Sequence, residues 1–192
     1  MIQHLLDGIL VGSILSLGAA GLTMVMHILR FANFSHAELL SIGAYVALVF
    51  DKIFKVTMPL MANEIGSLSM TWALILSIIV SIVFTGASAV LFDWLIFRRI
   101  RAKGEELSMV FASFGLALIV RNLIGLIFGL STKLYSKDIV FVTVLSRDPL
   151  LVVKLDQLAT FSITLLLMVV IHIVLSRTTF GYSLRAVGEN PE

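Results

Sequence analysis

The sequence has no cysteine, and Asp, Glu, Lys and Arg together make up only 14% of it, against about 25% in ordinary soluble domains. The first absence excludes disulfides, thiol catalysis and cysteine-ligated metal sites. Catalytic signatures are also missing. There is no GxSxG, no HExxH, no Walker A loop and no carboxylate pair in a plausible setting. No catalytic residue and no metal ligand is therefore expected. His36 has no second His or Cys at ligand spacing. Residues 1–4 carry no Lys or Arg, so the apolar run that follows lacks the positive start of a secretory signal and reads as a retained span.

What the chain does have is apolar surface. Of 192 residues 59% are hydrophobic, and the mean hydropathy is +1.05. A soluble fold of this size has too little interior to hide that much, whereas a bilayer can surround it. The net charge of +2 fits Lys and Arg flanking membrane spans better than a nucleic-acid surface. The fold class expected is all-α, a polytopic transmembrane helical bundle of about five spans.

The spans are placed at about 5–29, 35–50, 72–92, 107–130 and 158–175. A helix needs about 20 residues to cross a core of roughly 30 Å. The second run would cover only about 24 Å, so it is either supported by protein at one end or partly re-entrant. Between the fourth and fifth spans, Ile139–Leu145 and Leu150–Leu155 flank Ser146-Arg147-Asp148-Pro149. This predicts a small β-prone extracytosolic hairpin. Arg98, Arg99, Arg101 and Lys103 crowd one short loop. By the positive-inside rule that loop is cytosolic, which puts the N-terminus outside and the C-terminus in the cytosol.

Two groups of residues stand out as substrate-path candidates. Ser35 and Glu38 have capping-box spacing and would start the second span. Beyond that structural role, a helix start within the membrane favours an anion such as a carboxylate, and Asn33 and His36 could add hydrogen bonds. Arg121, followed by Asn122, lies deep in the fourth span. A charge there faces protein or water, or snorkels outward, or pairs with Asp93 or a carbonyl. His172 reads as a packed or interfacial histidine. Gly8-x-x-x-Gly12, Gly125-x-x-x-Gly129 and Gly86-Ala87-Ser88-Ala89 have the small-residue spacing of close helix contacts.

Two stretches carry a family resemblance. One is Gly21-Leu22-Thr23-Met24-Val25, then Leu29-Arg30-Phe31-Ala32-Asn33-Phe34-Ser35-His36-Ala37-Glu38, then Ile42-Gly43-Ala44-Tyr45. The other is Phe180-Gly181-Tyr182-Ser183-Leu184-Arg185-Ala186-Val187-Gly188-Glu189-Asn190-Pro191-Glu192. Weaker echoes are Phe97-Arg98-Arg99-Ile100-Arg101, Ser113-Phe114-Gly115-Leu116 and Arg121-Asn122. In this order they resemble the permease subunits of branched-chain amino-acid ABC transporters, with Ala37 where the family usually has Gly.

The resemblance implies a single permease domain over 1–192, C-terminally incomplete, in a bacterial-type plasma (inner) membrane. It implies an importer with a second permease subunit (homo- or heterodimer), P-loop ATPase subunits and an extracytosolic solute-binding protein. ATP and Mg would be held by the ATPase and no cofactor by this chain. Residues 180–192 would begin the cytosolic ATPase-coupling loop, with Gly181, Arg185, Gly188, Glu189 and Asn190 as coupling candidates. The solute would be leucine, isoleucine, valine or a related small molecule. Two other readings stay open: an ATPase-independent secondary transporter or channel subunit, and a structural membrane subunit with no pore.

Overall fold

Hydroxyls inside an apolar helix are tolerated when they bond back to their own backbone, because lipid offers no partner. The first helix uses this device three times. Ser13 donates to the Leu10 carbonyl at 2.7 Å, Ser16 to Ser13 at 2.6 Å and Thr23 to Ala19 at 2.8 Å. In a computed structural model of the chain, residues 1–66, 68–102, 106–135, 142–147 and 150–189 are described.

The elements are α1 (Ile2–Leu29), α2 (His36–Thr57), α3 (Trp72–Phe92), α4 (Arg98–Arg101), α5 (Glu106–Phe128), β1 (Val142–Arg147), β2 (Leu150–Lys154), α6 (Leu155–Arg177) and α7 (Thr179–Glu189). A single π turn, Asp93–Phe97, carries α3 into α4. Among the described residues, four helical stretches are long and apolar enough to cross a membrane: Ile2–Leu29, Trp72–Arg101, Leu107–Phe128 and Leu155–Arg177. The protein is an all-α polytopic bundle with one small hairpin. Leu15, Ile82, Leu126 and Leu166, among others, point outward from these helices, as side chains meeting acyl chains would.

The second apolar run is longer than its sequence suggests. Its helix passes Phe50 and ends at Thr57, about 33 Å by the helical rise. The charges that read as loop are accommodated one turn apart, with Lys55 Nζ 2.8 Å from Asp51 Oδ2 and Asp51 itself buried. The last segment, expected as the start of a loop, is helical over Thr179–Glu189. Thr178 caps it by accepting from the Gly181 N–H at 3.2 Å.

The chain divides into two compact units, Met1–Arg30 with Ile139–Glu192, and Phe31–Asp138. In the first, β1 and β2 pair antiparallel, from Val142 opposite Lys154 to Arg147 opposite Leu150, with an irregularity between Val144 and Ser146. The turn residues Asp148 and Pro149, and 139–141 of the first β-prone run, lie outside the described residues. Gln3 of α1 closes the free edge of β2: its Nε2 donates to the Val152 carbonyl at 2.8 Å, and its Oε1 accepts from the Val152 N–H at 2.9 Å. Further along, Ser16 faces the Met168 sulfur at 3.9 Å, so α1 and α6 run side by side in the same direction. Arg30 ends α1 in the left-handed region, φ 57°, with its N–H on the Met26 carbonyl at 2.9 Å.

In the second unit, α2 packs on α3 through small residues. Ser81 donates to the Gly43 carbonyl at 2.6 Å, and a Cβ on Gly43 would lie 3.0 Å from Thr85 Oγ1. Ala47, Ala73, Ser77 and Ser81 are buried. Where lipid is as apolar as leucine, such close approach is what holds helices together. This seam differs from the expected ones. A Cβ on Gly8, Gly12 or Gly86 would meet nothing within 4 Å. A Cβ on Gly129 would likewise meet no described atom within 4 Å. Gly129 ends α5 at φ 78°, its N–H on the Gly125 carbonyl at 2.9 Å. At the start of α3, Thr71 accepts from the Leu74 N–H at 3.2 Å.

Candidate functional site

The turn that leads into α2 is built around Asn33, not around a capping box. The Asn33 carboxamide oxygen accepts the Ser35 N–H at 3.1 Å and the Ser35 hydroxyl at 2.6 Å. This is an Asx turn, in which the side chain mimics a preceding peptide group. Ser35 thus spends its hydroxyl as a donor and makes no side-chain cap to the helix. The expected reciprocal bond with Glu38 is absent, because Ser35 already sits near the helical region, φ −72° and ψ −9°. A true N-cap residue is extended there. Asn33 and Ser35 are both buried.

Ser113 of α5 fixes this turn from the other side. Its hydroxyl oxygen accepts the Phe34 N–H at 3.1 Å and donates to the Val110 carbonyl at 2.8 Å, with the Ala32 carbonyl 3.4 Å away. Ser113 is wholly buried. Around it, Phe31 packs on Phe97 with ring centroids 5.6 Å apart, and Phe34 meets Phe114 edge-on at 6.1 Å. Tyr45 stacks on Phe128 at 4.4 Å, so α2 and α5 run parallel and the start of α2 is level with the second turn of α5. Ser113 was the partner that sequence reasoning could not assign. It stood in a noted stretch, Ser113-Phe114-Gly115-Leu116, but nothing local links it to a turn eighty positions earlier.

The other candidates are not all brought to this turn. His36 begins α2, and its Nε2 is buried with no hydrogen-bond partner among the described residues. Glu38 lies half-buried on the first turn of α2. Arg121 and Asn122 sit about 12 Å further along α5 than Ser113 by helical rise, and both are exposed. Asn122 uses its amide on its own helix, donating to the Leu118 carbonyl at 2.7 Å. Arg121 does not pair with Asp93, whose carboxylate is taken by Arg101 at 2.9 Å.

In the first unit α7 folds back onto the end of α6. The approach is so close that a Cβ on Gly181 would overlap the Leu175 carbonyl oxygen and lie 2.6 Å from that of Val174. Only glycine fits. Arg185 stacks on the Tyr182 ring, 4.8 Å from its centroid, and its Nε donates to the Gly181 carbonyl at 3.4 Å. Phe180 and Tyr182 are 60% and 59% exposed, so α7 presents aromatic surface outward while Leu184 turns inward. Gly188 and Glu189 close the helix, and their side chains, like Asn190 as a whole, lie outside the described residues. Among the described residues, no group of three or more His, Cys, Asp or Glu is placed to hold a metal.

Residues 4–192 match the family described as branched-chain amino acid transport system / permease component. The chain is also similar to the high-affinity branched-chain amino acid transport system permease protein BraD of Pseudomonas aeruginosa, 27% identical over 197 residues. That similarity covers 98% of this chain and 59% of the relative, so the chain spans under two thirds of the length of the relative it matches. No solved structure matches it. With apolar helices of membrane-crossing length and a family match over nearly all its residues, the chain is a multi-pass membrane protein that belongs to the branched-chain amino acid transport permease family.

Proposed function

We propose that this chain is a membrane permease subunit of an ABC importer and forms part of the path for branched-chain amino acids or a related small solute. The observation that carries this reading is α7. An eleven-residue helix held against the end of α6 by an obligatory glycine, with Phe180 and Tyr182 turned outward, is a rigid, preorganised peg. It lies on the segment that the family resemblance assigns to ATPase coupling. Movement of a partner gripping α7 would pass directly into α6, since Gly181 leaves no compliant gap between them. In this reading the end of the bundle carrying α7 is cytosolic and the hairpin is extracytosolic.

The chain itself performs no covalent step. ATP and Mg are bound and spent on a separate P-loop subunit, a binding protein delivers solute from outside, and a second permease copy or homologue completes the path. Along that path, the Asn33 turn and His36 are the groups most suited to a solute. The turn is locked by Ser113, so the start of α2 keeps one position. The unpartnered His36 Nε2 has hydrogen-bonding capacity left over.

Two measurements test this. Expressed with its ATPase subunits, the chain should co-purify with a P-loop ATPase in mild detergent. Recovery of the permease free of ATPase would contradict it. In the assembled transporter, a thermal-shift panel of amino acids should respond to leucine, isoleucine and valine. A response confined to unrelated solutes would keep the transporter reading and remove the substrate class.

A further inference from the structure

Within the first unit, α1, α6 and α7 enclose an open cavity of about 570 Å³. It is lined by Met24 and His27 of α1, His172 and Leu175 of α6, and Leu184 and Arg185 of α7. No Asp or Glu lines it. Three donor side chains from three different helices therefore face one cavity. Arg185 is aimed by its stack on Tyr182 and by its bond to the Gly181 carbonyl. Arg30 just beyond α1 and Arg177 at the end of α6 mark the level at which the bundle meets water.

We propose that this cavity binds an anionic phospholipid, with the phosphate on Arg185, His27 and His172 and the upper acyl chain along Met24 and Leu175. Guanidinium is the side chain best matched to phosphate oxygens, and a basic pocket between helices at the membrane surface suits such a headgroup. The apolar lining from Met24, Ile28, Leu175 and Leu184 favours a lipid over free phosphate, which has nothing to place there. Bound lipid would tie α7 to both α1 and α6. The proposal needs only the membrane location and not the ABC reading, so the two fail separately.

The full chain, purified and stripped of lipid, is offered phosphatidylglycerol or phosphatidylcholine with the same acyl chains, and retention is read by native mass spectrometry. Phosphatidylglycerol should be retained about tenfold more strongly than phosphatidylcholine, and Arg185→Gln or His172→Gln should erase that preference, an effect of one charge-assisted contact. Arg185→Lys should restore part of it, and Arg99→Gln, outside the cavity, should leave it unchanged. On the wild-type chain, a photoreactive phosphatidylglycerol should label peptides from the end of α1 and from α6 to α7, which keeps the test valid should a variant misfold. Equal retention of the two lipids, labelling elsewhere, displacement by glycerol phosphate alone, or a crosslink from Leu184→Cys to an ATPase would each overturn the proposal.

Discussion

The Asn33 carboxamide oxygen stands 2.6 Å from the Ser35 hydroxyl and also accepts the Ser35 N–H. This one side chain sets the turn into α2. Asn33→Ala should therefore cost about 1–2 kcal/mol, the usual range for losing a capping or turn hydrogen bond at a buried position. Glu38→Ala should stay within about 0.5 kcal/mol. Thermal melts of the purified variants in detergent decide between this and a capping box, in which Glu38→Ala would destabilise as much as Asn33→Ala.

Gly181→Ala should detach α7 from α6. The added methyl would overlap the Leu175 carbonyl, backbone that has no rotamer with which to yield, at a cost of about 1–3 kcal/mol. Trypsin should then cut after Arg185 markedly faster than in the wild type. An unchanged cleavage rate would mean that the close seat is not needed to hold α7.

The α2–α3 seam predicts a contrast between two glycines. Gly43→Leu must push Ser81 and Thr85 aside and should destabilise by about 1–3 kcal/mol. Gly8→Ala faces open space and should be neutral or stabilising by up to about 1 kcal/mol, the helix-propensity gain. Melting temperatures of the two variants check both signs at once.

Tyr135, in the loop after α5, donates its hydroxyl to the Ala44 carbonyl at 2.6 Å. Burial, and after it the Asp51 carboxylate, raises its pKa above the ordinary value of 10.0. The fold thus favours the protonated phenol. That contribution is fully present below about pH 10, the unfolded value, and is lost as pH rises through the folded one. The wild type should lose melting temperature between pH 9 and 11 faster than Tyr135→Phe. At pH 7 that variant should be less stable by at most about 1 kcal/mol.

Local signals in the sequence suffice where one residue type decides. The start of α3 at Trp72 coincides with that of the uncharged run because Thr71 caps it, while beyond Phe92 the chain stays helical through the π turn to Arg101. The second hairpin strand falls on its β-branched run, whereas the first reaches Arg147 and takes Ser146 and Arg147 out of the expected turn, because both pair across the ladder with Leu151 and Leu150. The second helix outruns its apolar stretch because Asp51, Lys52 and Lys55 look like loop in one dimension, whereas an i,i+4 ion pair carries two of them on a helix. The helix α7, expected as the start of a loop, is short and amphipathic, and its one local signal is the Thr178 N-cap. Asn33 and Ser35 compete for the same role at almost the same position, and only backbone angles decide between them. Ser113 and Gly43 act across long sequence distances, which no local pattern encodes.

The seat of the ATPase on α7 is tested most directly with single cysteines, since the chain has none of its own. Phe180→Cys and Ser183→Cys place thiols on the exposed side of α7. In sealed membrane vesicles containing the assembled transporter, a membrane-impermeant maleimide should reach both thiols only when the cytosolic face is turned outward, and a short bifunctional crosslinker should join both to the ATPase. Labelling from the extracytosolic side, or labelling from the cytosolic side with no ATPase adduct at either position, would contradict the account.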